Sequence, residues 1–110
     1  MYRDRTIGVV VLAFNVEDHI HDVLQNMPDF VDAVYVVDDG SADRTAEIVR
    51  GFISNSHTHA PTHSRVELVR HASNSGPGAA LSTGYRQALA NGLDIVVKVD
   101  GDNQMDPVEM

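Results

Sequence analysis

The sequence predicts an α/β fold with three layers, in which a mainly parallel sheet lies between helices. Two observations lead to this prediction. Short apolar, β-branched runs alternate along the chain with amphipathic segments, and polar residues follow several of those runs. The order is β-α-β-α-β-α-β within 110 residues, which is enough for one small domain. Right-handed crossovers between parallel strands would place helices on both faces of the sheet.

The first two strands are marked by apolar runs. Ile7 to Ala13 is typical of a strand buried on both faces. A helix is predicted next, with Asn15 as its N-cap and Pro28 as its stop. The second strand, Ala33 to Val37, leads into Asp38-Asp39-Gly40-Ser41. The apolar face of the helix between the strands consists of Val16, Ile20, Val23, Leu24 and Met27.

The middle of the chain predicts a second helix and then a loop. The helix would be capped by Ser41 or Asp43. Ser54 to Ser64 is polar, contains proline and has no periodicity, which indicates a loop. Val66 to Val69 is a short third strand. The apolar side of the second helix consists of Thr45, Ile48, Val49, Phe52 and Ile53.

A third helix and a fourth strand complete the pattern. Gly76-Pro77-Gly78 opens the helix and Asn91-Gly92 closes it. Asp94 to Val99 is the fourth strand. A small-residue face suited to close packing on the sheet consists of Ala80, Gly84 and Ala88.

Charge and composition exclude several classes of function. The formal net charge is −8, from 16 acidic residues against 8 Lys and Arg, which argues against a nucleic-acid partner and favours a cation. There is no Cys, so disulfides and thiolate metal sites are excluded. No apolar run approaches the roughly 20 residues of a membrane span. A cytoplasmic chain is therefore expected.

Polar residues follow the first, second and fourth predicted strands. They are Asn15 and Glu17, then Asp38 to Ser41, then Asp100 to Gln104. In open parallel sheets, ligands bind beyond the carboxyl ends of the strands, which lie at one edge. The sequence therefore predicts a ligand site at that edge.

Asp100-Gly101-Asp102 follows the fourth strand with two carboxylates one residue apart. Both carboxylates can turn toward one hard cation such as Mg²⁺ or Mn²⁺, which would neutralise a nucleotide diphosphate. The alternative is a solvated turn. Asp38-Asp39 presents a similar choice between accepting hydrogen bonds from a ribose or base and capping the next helix, with Gly40 making the turn.

Other polar features carry weaker hypotheses. Gly76-Pro77-Gly78 would cradle a phosphate or simply start a closely packed helix. Lys98 would pair with an acid of the site or face solvent. No G-x-S-x-G is present, so a catalytic serine is unsupported. A solvated loop is favoured over a zinc site for the histidines His57, His59, His63 and His71.

Four segments in this order carry a resemblance to a known family: VVLAFNVEDHI, VYVVDDGSADRT, NSGPGAALSTGYRQAL and VVKVDGDNQMDP. They resemble the N-terminal half of a family 2 glycosyltransferase, and the D-G-D-x-Q-x-D-P ending is similar to the dolichyl-phosphate mannose synthase-like, polyprenyl-phosphate branch. The resemblance spans Thr6 to Pro107. It implies a truncated, Rossmann-like GT-A (nucleotide-diphospho-sugar transferase) fold, with residues 1–110 as the nucleotide-sugar-binding half of a catalytic domain.

The resemblance implies roles for individual residues. Phe14 and Glu17 would line the nucleoside pocket together with Ala13. Base or ribose would contact Val37 and Asp39. Asp100 would lie near the ribose and diphosphate. The divalent cation, Mg²⁺ or Mn²⁺, would be held by Asp102 and Gln104.

This chain departs from the family pattern at three positions. Leu12 stands where proline is common, Glu17 falls one residue late, and Pro77 stands where a basic residue is common. The shifted position of Glu17 weakens the inference that it lines the nucleoside pocket. Pro77 weakens the inference that its loop binds a phosphate.

The resemblance also implies partners. The donor would be a UDP- or GDP-linked sugar, transferred with inversion to an acceptor such as a polyprenyl phosphate, at the inner face of a membrane. The catalytic base is expected in a C-terminal half beyond this chain, so the 110 residues alone are expected to be inactive. Homo-oligomerisation through an apolar sheet edge is left open.

Three alternatives remain. A nucleotidyltransferase would need a basic, Gly-rich loop after the first strand, which LAFNVEDHI lacks. A receiver-like signalling module would carry its acidic pair after the first strand, whereas Asp38-Asp39 follow the second. A non-catalytic nucleotide- or metal-binding module is the third alternative.

Overall fold

A computed structural model describes residues 5–28, 30–56 and 65–101. Within those ranges the chain folds in the predicted β-α-β-α-β-α-β order. The elements are β1 (Ile7–Ala13), α1 (Ile20–Gln25), β2 (Ala33–Asp38), α2 (Thr45–Ser56), β3 (Arg65–Arg70), α3 (Pro77–Ala90) and β4 (Ile95–Asp100). None of these helices is long and apolar enough to cross a membrane.

The four described strands form one parallel sheet in the order β3-β2-β1-β4. β1 is central and pairs with β2 on one side and β4 on the other. Leu12 lies in register with Val37 and with Asp100. The carboxyl ends of three strands therefore meet at one edge of the sheet, as the sequence predicted.

β1 is buried on both faces, because helices cover the sheet from both sides. Val9 and Val11 pack with Ile20 and Val49 on the face that α1 and α2 cover. Val10 belongs to a cluster on the opposite face, under α3. This arrangement explains why β1 is apolar at successive positions rather than at alternate ones. It also confirms the three-layer architecture.

α3 lies close to the sheet through its small residues. Ala80 and Ala88 are buried, and a Cβ added to Gly84 would overlap Cγ1 of Val10. The predicted small-residue face is therefore the face that packs on the sheet.

The start of α1 differs from the prediction, which placed an N-cap at Asn15. The helix begins at Ile20, after a turn in which the N–H groups of His19 and Ile20 donate to the carbonyl of Val16. Asn15 adopts a left-handed conformation with φ of 53°. Its side-chain oxygen accepts a hydrogen bond from the N–H of Ala42, so the amide serves the neighbouring loop instead of α1.

Smaller differences concern the other elements. β3 and β4 each include residues just outside the predicted limits. α2 continues through Ser56, three residues into the segment predicted as a loop. Asp43, one of the two predicted caps, does accept the N–H of Thr45 at 2.9 Å.

The loops after β1 and β2 bind each other through a set of hydrogen bonds that we call the loop interlock (residues 15–17 with residues 41–45). Three backbone N–H groups of the first loop donate to side chains of the second. The pairs are Asn15 N to Ser41 Oγ at 2.9 Å, Val16 N to Thr45 Oγ1 at 3.0 Å, and Glu17 N to Asp43 Oδ2 at 3.2 Å.

The loop interlock is reciprocal. The N–H of Ala42 donates to Asn15 Oδ1 at 2.9 Å, and the N–H of Arg44 donates to Glu17 Oε2 at 3.2 Å. Side chains of each loop thus satisfy backbone donors of the other, in places where no sheet hydrogen bond is available. The two loops are fixed relative to each other beside the edge where the site is predicted.

Asp43 is the acid of the loop interlock with the largest number of donors. Burial raises the pKa of Asp43, but hydrogen bonds from the hydroxyl and N–H of Thr45 and from the N–H of Glu17 outweigh burial and lower it. The carboxylate therefore stabilises the fold when it is ionised.

We expect Gly84→Ala to destabilise the protein by about 1–2 kcal/mol, because the added methyl would overlap the buried side chain of Val10. That figure is the net change: the steric overlap costs more than the gain of about 1 kcal/mol from the better helix propensity of Ala. The matched control is Gly51→Ala in α2, where an added Cβ meets nothing within 4 Å and should stabilise. Urea unfolding measures both changes, and equal effects of the two variants would contradict the close packing of α3.

We expect Asp43→Asn to cost about 1 kcal/mol of stability at pH 7, as for loss of a capping carboxylate. Because the folded state lowers the pKa of Asp43, its contribution is present above the unfolded value of about 3.9 and is lost as the pH falls through the folded value. The difference from the parent chain should therefore shrink between about pH 5 and pH 3. Urea unfolding across that range tests this, with the exposed Asp18→Asn as control. A constant difference would contradict it.

Candidate functional site

A cleft of about 230 Å³ lies at the carboxyl edge of the sheet. Its lining comes from the ends of β1, β2 and β4, from the segment between β3 and α3, and from the first turn of α3. The lining residues are Leu12, Ala13, Phe14, Val16, Asp39, Asn74, Ala80, Asp100 and Gly101. The structure thus brings together four of the predicted site residues: Ala13, Phe14, Asp39 and Asp100.

Backbone hydrogen bonds fix the walls of this cleft. The N–H of Asp39 donates to the carbonyl of Ala13 at 2.9 Å, and the N–H of Gly101 donates to the carbonyl of Leu12 at 2.8 Å. Both bonds continue the sheet pairing one step past the strands. Phe14, the residue after β1, leaves 46% of its surface exposed. Its ring is therefore an accessible apolar surface beside the buried acid.

Asp39 is the most heavily engaged polar group of the cleft. Its Oδ1 accepts the N–H of Ser75 at 2.9 Å and lies 2.8 Å from Nδ1 of His71. Its Oδ2 accepts the N–H of Gly76 at 2.8 Å. Burial raises the pKa of Asp39, but these bonds together outweigh burial and lower it. The carboxylate is an ionised acceptor that holds the loop before α3 in place.

The hydrogen bonds to Asp39 limit how many further hydrogen bonds its carboxylate can accept from a ligand. A carboxylate has about four lone-pair sites, and the described residues fill three of them. The remaining site is on Oδ2. Because Asp39 lines the cleft, this oxygen is the acceptor available to a donor group bound there.

Asp38 has a different environment from its neighbour. It is fully buried and does not line the cleft. Its Oδ1 accepts the N–H of Ser41 at 2.9 Å, and its Oδ2 lies 3.2 Å from Nε of Arg70 without hydrogen-bond geometry. Arg70 also donates to the carbonyl of Ser41 at 3.1 Å. Asp38 therefore stabilises the turn after β2 and does not cap α2, which begins at Thr45 and whose capping was the structural alternative.

That turn requires a glycine at position 40. Gly40 has a φ of +79°, a conformation that other residues rarely adopt. A Cβ there would also lie 2.7 Å from the backbone nitrogen of Asn74. The loop before α3 therefore packs directly against the turn after β2.

Two predicted nucleotide-binding residues, Glu17 and Val37, are not among the residues that line the cleft. Glu17 belongs to the loop interlock, where its carboxylate accepts the N–H of Arg44. Val37 is fully buried and packs with Ala80 under α3. Both residues support the site from outside the lining, and their contact with a nucleotide stays a prediction.

The predicted metal ligands, Asp102 and Gln104, lie outside the described residues. In the described ranges no group of three or more His, Asp or Glu side chains is placed to hold a metal ion. Asp100 keeps 38% of its side chain exposed, with Nζ of Lys98 at 3.9 Å from its Oδ1. Lys98 thus pairs with an acid of the site, which was one of the two alternatives.

Sequence analysis missed the contribution of the segment between β3 and α3. Only the residues after β1, β2 and β4 were predicted to form the site. β3 is parallel to them and ends at the same edge, so the segment after it, which includes Asn74, also reaches the cleft. His71, assigned to a loose histidine cluster, instead binds Asp39, while the other members of that cluster lie outside the described residues. The position of His71 directly after β3 was the available signal.

Comparison with known proteins identifies the family. A family model described as Glycosyl transferase family 2 matches residues 8–109. The UDP-N-acetylglucosamine–dolichyl-phosphate N-acetylglucosaminyltransferase of Methanococcus voltae is 32% identical over 110 aligned residues, covering 94% of this chain and 44% of that protein. A dolichyl-phosphate beta-glucosyltransferase of Trichomonas vaginalis is 34% identical over 82 residues, covering 74% of this chain and 22% of that protein.

Solved structures give the same answer for the fold. Glucosyl-3-phosphoglycerate synthase from Mycobacterium tuberculosis, in complex with Mn²⁺, UDP and glucosyl-3-phosphoglycerate, superimposes with a TM-score of 0.62 at 30% identity. The match covers 89% of this chain and 34% of that chain. This chain therefore spans less than half the length of these relatives, and its fold is the GT-A fold that the resemblance implied.

The family match favours the glycosyltransferase over a nucleotidyltransferase or a receiver-like module. It extends over almost all of the residues that form the sheet and the cleft. This chain belongs to glycosyl transferase family 2.

Proposed function

We propose that this chain binds the nucleoside diphosphate of a sugar donor, with a divalent cation, in the cleft at the carboxyl edge of the sheet. The observation that carries the proposal is the convergence of Phe14, Asp39 and Asp100 on one cleft. An accessible ring can stack on a base, a buried acceptor can bind the donors on the edge of that base, and a partly exposed acid can accept from a ribose hydroxyl. The family assigns the reaction class, sugar transfer.

The proposed contacts follow from the environment of each residue. Phe14 offers an exposed ring on which a base stacks. The free lone pair of Asp39 accepts an N–H of the base or a ribose hydroxyl. Asp100, at the end of β4, lies near the ribose and the diphosphate. Ala13 forms part of the cleft wall near these residues, and its small side chain leaves room for the ligand.

We further propose that Asp102 and Gln104 hold a Mn²⁺ or Mg²⁺ ion. Both follow Asp100 within four residues, and their oxygen atoms are the donors that such hard cations prefer. When bound, the cation would neutralise the diphosphate and stabilise it as a leaving group. The presence of Mn²⁺ with UDP in the mycobacterial synthase supports this assignment.

UDP is the first candidate nucleotide, and a polyprenyl phosphate is the first candidate acceptor of the whole protein. The names of the Methanococcus and Trichomonas relatives specify dolichyl phosphate, and the Methanococcus enzyme uses UDP-N-acetylglucosamine. GDP is the nucleotide against which UDP is to be tested. Inversion at the anomeric carbon is proposed because the resemblance implies it.

We expect UDP to bind about tenfold more tightly with Mn²⁺ than without it, since the cation screens the diphosphate from the acids of the cleft. Calorimetry measures both affinities. Asp102→Ala should remove the effect of Mn²⁺, whereas Asp22→Asn, on the exposed surface of α1, should leave it in place. Absence of binding to both UDP and GDP in the presence of Mn²⁺ would contradict the proposal.

We expect Phe14→Ala to weaken UDP binding by about fivefold or more, as stacking between a base and an aromatic ring contributes about 1–3 kcal/mol. Phe14→Tyr keeps an aromatic ring and is the matched control. Because the ring is 46% exposed, neither change should alter the urea unfolding midpoint by a large amount. Equal UDP affinities for the two variants would place the base elsewhere.

A further inference from the structure

Asp39 is the first member of a chain of polar contacts that runs away from the cleft into α3. The ring of His71 lies between two oxygens: Nδ1 is 2.8 Å from Oδ1 of Asp39, and Nε2 is 2.9 Å from Oγ1 of Thr83. The Thr83 hydroxyl is also 3.0 Å from the carbonyl of Ala79, one turn earlier in the helix. We call these three side chains the Asp39–His71–Thr83 chain.

The donors and acceptors of this chain restrict the ring of His71. An ionised carboxylate only accepts, so Nδ1 must carry a proton and donate to Asp39. The Thr83 hydroxyl has one proton, which it gives either to Nε2 or to the carbonyl of Ala79. In the first case the ring is neutral, and in the second it is protonated on both nitrogens. Both arrangements fix the same Nδ1–H against Asp39.

The chain is buried enough for these bonds to matter. The side chain of Asp39 is 7% exposed and that of His71 is 18% exposed. Both ring nitrogens are engaged, so rotation of the ring would break two part-buried hydrogen bonds. Loss of the hydroxyl at Thr83 would leave Nε2 without its partner among the described residues.

His71 and Thr83 do not line the cleft, but Asp39 does. The donors on both oxygens decide how the carboxylate is rotated, and that rotation decides where the remaining lone pair of Oδ2 lies. The N–H of Ser75 belongs to an exposed loop, and the N–H of Gly76, the N-cap of α3, holds Oδ2 at the start of that helix. Thr83 lies in the second turn of α3, so the His71 contact is a side-chain link from Oδ1 to the body of the same helix.

We propose that His71 and Thr83 are positioning residues for nucleotide binding: Thr83 orients the ring of His71, and the ring orients the Asp39 carboxylate so that its free lone pair meets a donor group of the nucleotide. This inference rests on the proposed function, because it takes the ligand of the cleft to be a nucleotide. A histidine and a threonine outside the cleft would thus influence affinity indirectly, through the orientation of Asp39.

The test compares UDP affinity, measured by calorimetry with Mn²⁺, among variants of Thr83. Thr83→Val has nearly the same shape as the parent but lacks the hydroxyl, and should weaken binding roughly three- to tenfold, as for loss of one buried hydrogen bond. Thr83→Ser keeps the hydroxyl and should restore most of the affinity. Ser82→Ala, which removes an exposed hydroxyl from the neighbouring position of α3, is the matched control.

A double-mutant cycle shows whether Thr83 acts through the ring. In His71→Asn, the side-chain amide can still donate near the position of Nδ1, but nothing replaces Nε2. Thr83→Val should therefore have little further effect on UDP affinity in the His71→Asn background. Additive effects of the two changes would overturn the inference.

The outcomes separate this inference from the proposed function. If the parent chain binds UDP and Thr83→Val binds it equally well, the inference fails and the proposed function stands. If Thr83→Val lowers the urea unfolding midpoint but the folded protein keeps its UDP affinity, the role of Thr83 is only structural and the inference also fails. If the parent chain binds no nucleotide, the proposed function fails, and the inference fails with it.

Discussion

The pairing of β1 with two parallel neighbours is the interaction on which the rest of the structure depends. β1 is hydrogen-bonded on both sides and buried on both faces, so its position fixes those of β2 and β4. The shared register of Leu12 with Val37 and Asp100 ends three strands at one level. The cleft exists because the chain turns away from the sheet at that level in each case, leaving backbone and acidic groups at a common edge.

Most polar groups at this edge form hydrogen bonds that stabilise the loops themselves. The loop interlock uses the side chains of Asn15 and Glu17 to satisfy backbone donors of the next loop. Asp38 holds the turn after β2, and Asp39 binds the loop before α3. The site is therefore preorganised: Asp39 is held in place by three contacts before any ligand arrives, and its remaining capacity is small and directed.

The sequence predicted the strands well because their apolar, β-branched runs reflect burial on both faces. The predicted start of α1 was wrong because an asparagine at position 15 could either cap a helix or accept a hydrogen bond from another loop, and the sequence does not distinguish these two roles. The second role is decided by a contact with Ala42, which lies 27 positions away. Position along the chain gave no sign of that contact, since the pairing depends on how β1 and β2 align.

The amino-acid sequence by itself determined the alternation of strands and helices, the small-residue face of α3 and the collection of acids after the strands. It also determined the family, because four motifs occur in register. Only the tertiary structure decided which acids face the cleft. Asp38 and Asp39 are adjacent and identical in type, yet consecutive residues at a strand end point in different directions. Asp38 is therefore buried against Arg70, whereas Asp39 contacts His71 and lines the cleft.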